Sequence, residues 1–436
     1  MKNKIFVLIN KLKKYIKVKE YKQLVENFFS LSVLNAVYFV FPLIALPYLL
    51  RVVGPEKYGI AVWWTTLMQY VILFSNYGFN FSATKQISIN RDNKLTVSTI
   101  FFSVLIIRFF VSLLILSLFI LLILFLPKFT NSFTIYLFSI GIAIGDIFIP
   151  IWLFQGLEKM KYITIVNVCS KGIFTILVFF VIKNESDYLY IPLLTSIGTL
   201  LAGAVSIYLA FRTIKIVWVL PKKKDLIFQI KDGWHIFAST IGMNFYRNAN
   251  IFILGLLTNN MTVGIYASAE KLVKALQTLI EPVSVSLYPY FSKRFKSTGS
   301  LKNNINTLLK LGKYYFIVLL LLSLFVFVFA KYIVIIAFGE KYLGSIIDVR
   351  ILSFVILFGG LNYFYGIIGL INLGFKKQFL SFVLIGGVIS LLLCIGFSPY
   401  YFDVAASISM LAGEFVLSIL LIRFIIKIKR PLNNMK

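Results

Sequence analysis

At 436 residues, 59% of them hydrophobic, 17% aromatic and only 14% charged, with a mean hydropathy of +0.90, the chain is too apolar for a soluble globular protein. Its 44 lysines and arginines against 16 acids give a net charge of +28, which in a soluble protein would point to nucleic acid. In a chain built of apolar runs the same excess belongs to loops that set membrane orientation. Cys169 and Cys394 both fall inside apolar runs and far from any CxxC pattern, which excludes a disulfide framework and offers no metal site.

Residues 1–27 carry eight lysines interleaved with Ile5, Phe6, Leu8, Ile9, Leu12, Tyr15 and Ile16. That is the composition of a basic amphipathic segment on the cytoplasmic membrane surface, or of a solvated basic tail. No short apolar core followed by a small-residue cleavage site marks it as a secretory signal. Twelve stretches of membrane-spanning length follow, at roughly 28–50, 58–80, 100–126, 131–154, 160–182, 188–211, 233–257, 263–290, 313–338, 346–372, 377–397 and 401–426. The expected fold is an all-α polytopic membrane protein with 12 transmembrane helices. Six lie in 28–212 and six in 233–426, separated by a basic cytoplasmic linker at 213–232 and followed by a cytoplasmic tail at 427–436.

Basic residues crowd into alternate connections, including Lys222–Lys224, Lys376, Lys377 and the tail from Arg423 to Lys436. The intervening loops hold few, such as Arg51, Lys57, Lys128, Lys183 and Lys341. Both termini are therefore expected inside. If the polar stretch from Val263 to Tyr290 failed to cross, every later loop would invert, so it is read as a span. A short internal likeness lays Leu50–Ile60 (LRVVGPEKYGI) over Gly255–Ile265 (GLLTNNMTVGI) and aligns Gly59 with Gly264. Repeats with an even number of spans enter the membrane in the same sense.

Ten charged residues fall five or more residues inside spans: Arg108, Lys171, Arg247, Lys271, Lys274 and Lys331 against Asp146, Glu270, Glu281 and Glu414. One unpaired charge at mid-span costs about 2.5–3.5 kcal/mol on insertion scales, so the set calls for a hydrated interior. Arg108 and Lys331 lie near span ends, where snorkelling competes with a pathway role. Glu270 precedes Lys274 by four residues, a helical pair that can neutralise itself. The cationic excess selects an anionic cargo, a phosphate or diphosphate, for which Arg247, Lys271, Lys274, Lys171 and Arg108 are the candidate ligands. Asp146, Glu270, Glu281 and Glu414 are candidates for binding a coupling proton or sodium ion. The only histidine, His235, sits at a span edge, where an interfacial or packed role is the commoner one.

No GxxxxGK[ST] and no GxGxxG after a strand occurs, so neither a built-in P-loop nor a dinucleotide cofactor is expected. A membrane polymerase or glycosyltransferase would display carboxylates on sizeable outer loops. Here Glu56, Glu185, Asp187, Glu340, Asp348 and Asp403 are scattered over four short ones.

Four stretches carry a resemblance: FPLIALPYLLRVVGPEKYGI (Phe41–Ile60), YGFNFSATKQISINRD (Tyr77–Asp92), IPIWLFQGLEKMKYI (Ile149–Ile163) and RNANIFILG with VGIYASAEKLV (Arg247–Gly255 and Val263–Val273). With them the chain resembles the polysaccharide (O-antigen type) flippases of the MOP exporter superfamily. The resemblance implies two six-helix bundles of MATE type around a cationic central cavity, alternating access, and no catalysis or cofactor. It further implies transfer of undecaprenyl-diphosphate-linked oligosaccharide from the inner to the outer leaflet of a bacterial inner membrane, driven by a proton or sodium gradient. The implied partners are the lipid-linked oligosaccharide, membrane lipid and other polysaccharide assembly proteins. Asn250 stands where members of the family often have an aspartate, which leaves ion coupling to the other acids. A multidrug or cation antiporter of the related branch is the alternative, and it would want an acid-dominated cavity.

Overall fold

The computed structural model describes residues 40–41, 44–125, 132–244, 249–298 and 300–433. The basic segment 1–27 and Arg247 lie outside the described residues, as do the side chains of His235 and Glu281.

Among the described residues every regular element is helical. In chain order they are α1 (Ile44–Val53), α2 (Pro55–Asn76), α3 (Phe79–Ile89), α4 (Lys94–Phe125), α5 (Phe133–Ile147), α6 (Ile151–Gly156) and α7 (Met160–Val181). After them come α8 (Tyr190–Leu209), α9 (Lys223–Asn244), α10 (Ala249–Leu257), α11 (Asn260–Thr298), α12 (Leu301–Ala337), α13 (Ser345–Asn362) and α14 (Lys376–Asn433). A π-helical stretch, Tyr363–Ile371, continues α13. Seven helical stretches among the described residues are long and apolar enough to cross a membrane. A helix closes its own hydrogen bonds, which a hydrocarbon surround demands. The 32 residues of α4 would reach about 48 Å, well over the hydrocarbon thickness.

Three local departures from the expected spans have plain causes. The stretch at 131–154 is two helices, because Pro150 has no N–H to give and breaks the ladder between α5 and α6. The linker expected at 213–232 turns helical at Lys223, where Asp225 Oδ2 accepts from the Lys222 backbone N–H at 2.9 Å and closes the first turn. The polar stretch that charge placement assigned to the membrane is a continuous helix of 39 residues, α11.

The chain divides into two compact units. The first holds the described parts of Met68–Leu177 and Pro192–Ala238. Its core gathers Phe79, Ile87, Phe101, Ile107, Trp152 and Leu153, brought together from α3, α4 and α6. α5 and α8 meet through small residues: a Cβ added to Gly145 would lie 2.5 Å from the Thr199 carbonyl carbon, and one on Gly203 would lie 2.7 Å from the Gly145 oxygen. Backbones this close gain the dispersion contacts that hold helices together where lipid removes the hydrophobic drive.

The second unit holds the described parts of Pro42–Leu67, Val178–Ile191 and Ser239–Lys436. Its core packs Phe291 and Phe295 of α11 against Leu308, Leu319, Phe364 and Leu421. Phe402, at φ 52° and ψ −128°, folds α14 back on itself, so that one helical stretch supplies two limbs. The limbs touch where Gly386 and Gly413 face each other; an added Cβ on either would sit 2.8 or 2.9 Å from the other's carbonyl oxygen.

Replacing Gly145 with valine should cost more than the roughly 1–3 kcal/mol of ordinary overpacking, because the obstacle is backbone. Thermal unfolding of the detergent-solubilised protein checks this. A Gly396→Ala control, with open space around the new methyl group, should melt with the wild type.

Candidate functional site

Arg108 of α4 is only 1% exposed and pairs with Asp146. Its Nη1 donates to the carbonyls of Ile147 at 3.1 Å and Ile149 at 3.4 Å, and its guanidinium lies 5.0 Å from the Trp152 ring centroid. The helix break at Pro150 leaves carbonyls at and just beyond the end of α5 turned toward α4, and Arg108 donates to two of them. Arg108 and Asp146 thus neutralise each other within the first unit, Arg108 at 1% exposure and Asp146 at 21%. Lys171 lies partly exposed on α7 of the same unit, and Lys331 is exposed on α12 of the other.

The second unit brings a different set together. Asn250 of α10, 4% exposed, donates through Nδ2 to the Tyr266 hydroxyl at 3.0 Å and to the Ala406 carbonyl at 3.1 Å. Tyr266 donates to Glu270 Oε1 at 3.4 Å, and Glu270 pairs with Lys274 at 3.1 Å. Glu270 is 2% exposed and Lys274 39%, so the carboxylate is sunk into protein while the ammonium reaches open space. Lys271, one residue after Glu270, is exposed and sits 5.1 Å from the centroid of the Tyr58 ring. Helical spacing set these neighbours on α11; the partner from α10 is a long-range contact.

Lys274 lines a cavity of about 500 Å³ together with Asn250, Gln277, Thr278, Asn362 and Glu414. Glu414 Oε2 accepts from Asn362 Nδ2 at 2.6 Å, and Asn362 Oδ1 accepts from Ser418 at 2.7 Å. The cavity exists because its wall is thin. Gly359 leaves room for Gln277, whose Nε2 would come within 2.7 Å of an added Cβ and donates to the Val355 carbonyl at 3.0 Å. Beyond Asn362 the backbone widens into the π-helical turns of Tyr363–Ile371, a distortion frequent at functional sites. In the sequence Lys274 shows as the helical partner of Glu270 and Glu414 as a charge within a span, whereas Asn362, Gly359 and Gly360 carry no charge and give no such signal.

One end of this unit is sealed. Arg51 reaches the Ile336 carbonyl, Lys341 pairs with Glu185, and Lys57 lies 5.2 Å from the Tyr188 ring centroid. Trp63 lies over Gly255, leaving no space for a side chain there, and its Nε1 donates to the Phe252 carbonyl at 3.3 Å. α2 and α11 cross with Gly59 against Gly264. A Cβ on Gly59 would be 1.9 Å from the Asn260 oxygen and one on Gly264 1.9 Å from the Pro55 oxygen. Pro55 precedes Gly59 by the same four residues as Asn260 precedes Gly264, so the contact is reciprocal, as two-fold related surfaces produce.

At the same end Asp348 of α13 and Asp403, which the sequence places in separate loops, come together: Asp403 acts electrostatically on Asp348. Asp348 is completely buried. Nothing in a single sequence pairs residues 348 and 403, since the fold of α14 at Phe402 creates the meeting.

A family model described as polysaccharide biosynthesis protein matches residues 24–295. A relative from Escherichia coli (strain K12) is 28% identical over 404 residues, covering 92% of this chain and 96% of its own length. Another, from Shigella dysenteriae, is 26% identical over 268 residues, 62% of this chain and 67% of its own. Both carry the name "Putative O-antigen transporter". Among solved structures, a multidrug resistance MATE family transporter of the MOP superfamily in an inward-facing conformation aligns with a TM-score of 0.71 at 15% identity, covering 94% of this chain and 99% of that one. The lipid II flippase MurJ in an inward closed conformation aligns at 0.65 with 16% identity, over 93% and 90%. At these identities the structural likeness concerns the fold.

Removing Arg108 while keeping Asp146 strands a carboxylate and two carbonyls. Arg108→Ala should therefore destabilise by about 3–5 kcal/mol, as breaking a buried ion pair does. The amount of folded protein in the membrane and its unfolding temperature measure this. Lys331→Ala, at an exposed position on α12, should leave both readouts near wild type.

Proposed function

The chain belongs to the polysaccharide biosynthesis protein family, as a polytopic membrane transporter of the MOP superfamily rather than an enzyme, and from that premise we propose that it flips a lipid-diphosphate-linked oligosaccharide, on an undecaprenyl carrier, from the inner to the outer leaflet of a bacterial inner membrane. The observation that carries this reading is a cavity of about 500 Å³ in the second unit, where the Lys274 ammonium and the amide and carboxylate groups of Asn250, Gln277, Asn362 and Glu414 stand among apolar walls. Phosphate oxygens answer such a group with charge-assisted hydrogen bonds. Lys274 leads the cargo site, with Lys271, Lys171 and Arg247 as further cationic contacts; Arg108 is left out because Asp146 already neutralises it. The glycan lies against the amide and carboxylate groups of Gln277, Asn362 and Glu414.

The chain in this reading crosses twelve times, as two six-helix bundles at 28–212 and 233–426 around a cationic passage, with both termini cytoplasmic. The lysine-rich connection at Lys222–Lys224 and the tail from Arg423 support that sense. The sealed end of the second unit then faces outward, and alternating access requires it to part. A proton or sodium ion drives the cycle, with Glu270, Glu414 and Glu281 as the acids retained for coupling; Asp146 stays with Arg108.

Reconstitution with a fluorescently labelled lipid-linked oligosaccharide, scored by the label's accessibility in each leaflet, tests the reading. Loss of one charge-assisted contact is about 1.5–3 kcal/mol, so Lys274→Ala and Arg247→Ala should each weaken cargo handling roughly ten- to hundredfold. Transport is scored per folded protein, since Lys274→Ala also leaves the buried Glu270 carboxylate without its ammonium. Full transport by the Lys274→Ala variant would sink the assignment.

A further inference from the structure

Asp348 has no accessible surface. Its Oδ1 accepts from the Ser407 hydroxyl at 2.6 Å, whereas Oδ2 has no hydrogen-bond partner. No cation is paired with it among the described residues; the charged group acting on it is a second carboxyl, Asp403. A buried carboxylate with one hydroxyl donor and a carboxylate neighbour is costly as an anion, and two such groups cannot both ionise cheaply. The missing donor on Oδ2 is supplied if the two carboxyls hold one proton between them. A hard divalent cation would ask for about six oxygens, more than two carboxyls and one hydroxyl provide.

The pair is also wired to the cavity. Ser407, bonded to Asp348, follows Ala406, whose carbonyl accepts from Asn250 at 3.1 Å. Asn250 donates to Tyr266 at 3.0 Å, Tyr266 to Glu270 at 3.4 Å, and Glu270 pairs with Lys274 at 3.1 Å. The titratable groups facing this array are Asp403, Tyr266, Glu270 and Cys394, the last acting on Tyr266. Arg350, two residues beyond Asp348, is exposed and has its guanidinium 5.8 Å from the Phe327 ring centroid.

We propose that Asp348 and Asp403 form a proton-binding pair at the outer end of the second unit, and that its occupancy is passed through Ser407, Ala406, Asn250 and Tyr266 to the Glu270–Lys274 pair at the cavity wall. The assignment of the outer side rests on the flippase reading; the shared proton does not. Asp403 is half-buried and admits the proton, while Asp348 holds it. Losing the proton places a second negative charge beside the first and drives α13 from the second limb of α14, shifting the Ala406 carbonyl that anchors Asn250. Contiguous hydrogen bonds with two discrete arrangements are a physical basis for coupling between sites.

Infrared difference spectroscopy on the full-length detergent-solubilised protein reads the proton directly. A protonated-carboxyl carbonyl band present in the wild type should disappear in Asp348→Asn, which keeps the shape, and change in Asp403→Asn. In vesicles carrying labelled lipid-linked oligosaccharide, transport driven by an acidic exterior should lose its gradient-dependent component in Asp348→Asn, while replacing sodium by choline changes nothing. An unaltered band in Asp348→Asn overturns the proposal, as does unaltered pH dependence or a requirement for sodium. If the wild type moves no labelled lipid, the flippase reading falls and the carbonyl band alone decides the proton site.

Discussion

Inside hydrocarbon there is no water to answer a polar group, so each buried charge must be answered by protein, and how completely it is answered sorts structure from function. Arg108 is answered twice over, by a carboxylate and by carbonyls released at Pro150. It is a keystone of the first unit for that reason. Lys274 pairs with Glu270 and also lines the cavity. Two basic residues that look alike in the sequence thereby acquire different surroundings, one 1% exposed and the other 39%.

Glycine sets how closely the elements carrying these charges approach. In a bilayer the helices gain little from leaving lipid, so contact between backbones decides which surfaces stay together. The pairs Gly59–Gly264 and Gly386–Gly413 and the Gly145–Thr199 crossing each bring main chain against main chain. Around the cavity glycine works the other way. Gly359 and Gly360 make room for the side chains of Gln277 and Leu319, which would lie 2.7 and 2.6 Å from an added Cβ, and the π-helical turns after Asn362 add width. The second unit is thus tight at its sealed end and loose where the polar groups converge.

What could be read from the sequence divides along the same line. Hydropathy and loop charge made the membrane class and the helical character of the polar stretch legible, because both depend on composition over about 20 residues. The Glu270–Lys274 pair was legible because it is four residues apart on one helix. Arg108 and Asp146, 38 residues apart, and Asp348 with Asp403 were not, since their meeting depends on how separate helices pack. Short in-line likeness aligned Gly59 with Gly264, but only coordinates reveal that the aligned glycines lie against each other. Asn362 was invisible as a site residue because an uncharged amide costs little in any span and leaves no trace in a charge count; Asn250 stood out only through the resemblance, at a position where related chains often carry an aspartate.

The Glu270–Lys274 pair is neutral as a sum and cationic as a surface. With the carboxylate 2% exposed and the ammonium 39% exposed, an anion in the cavity meets Lys274 first and competes with Glu270 for it. Whatever loosens Lys274 from Glu270 leaves that carboxylate more dependent on the Tyr266 hydroxyl, and Tyr266 is held by Asn250, which is held by the main chain of α14. An anion at the wall and the arrangement of the hydrogen bonds behind it are therefore linked. Linkage of this kind runs both ways with equal free energy: a change behind the wall that tightens Glu270 on Lys274 must weaken anion binding by the same factor that anion binding weakens the pair. The self-neutralising helical pair and the proposed cargo contact are one device seen from its two sides.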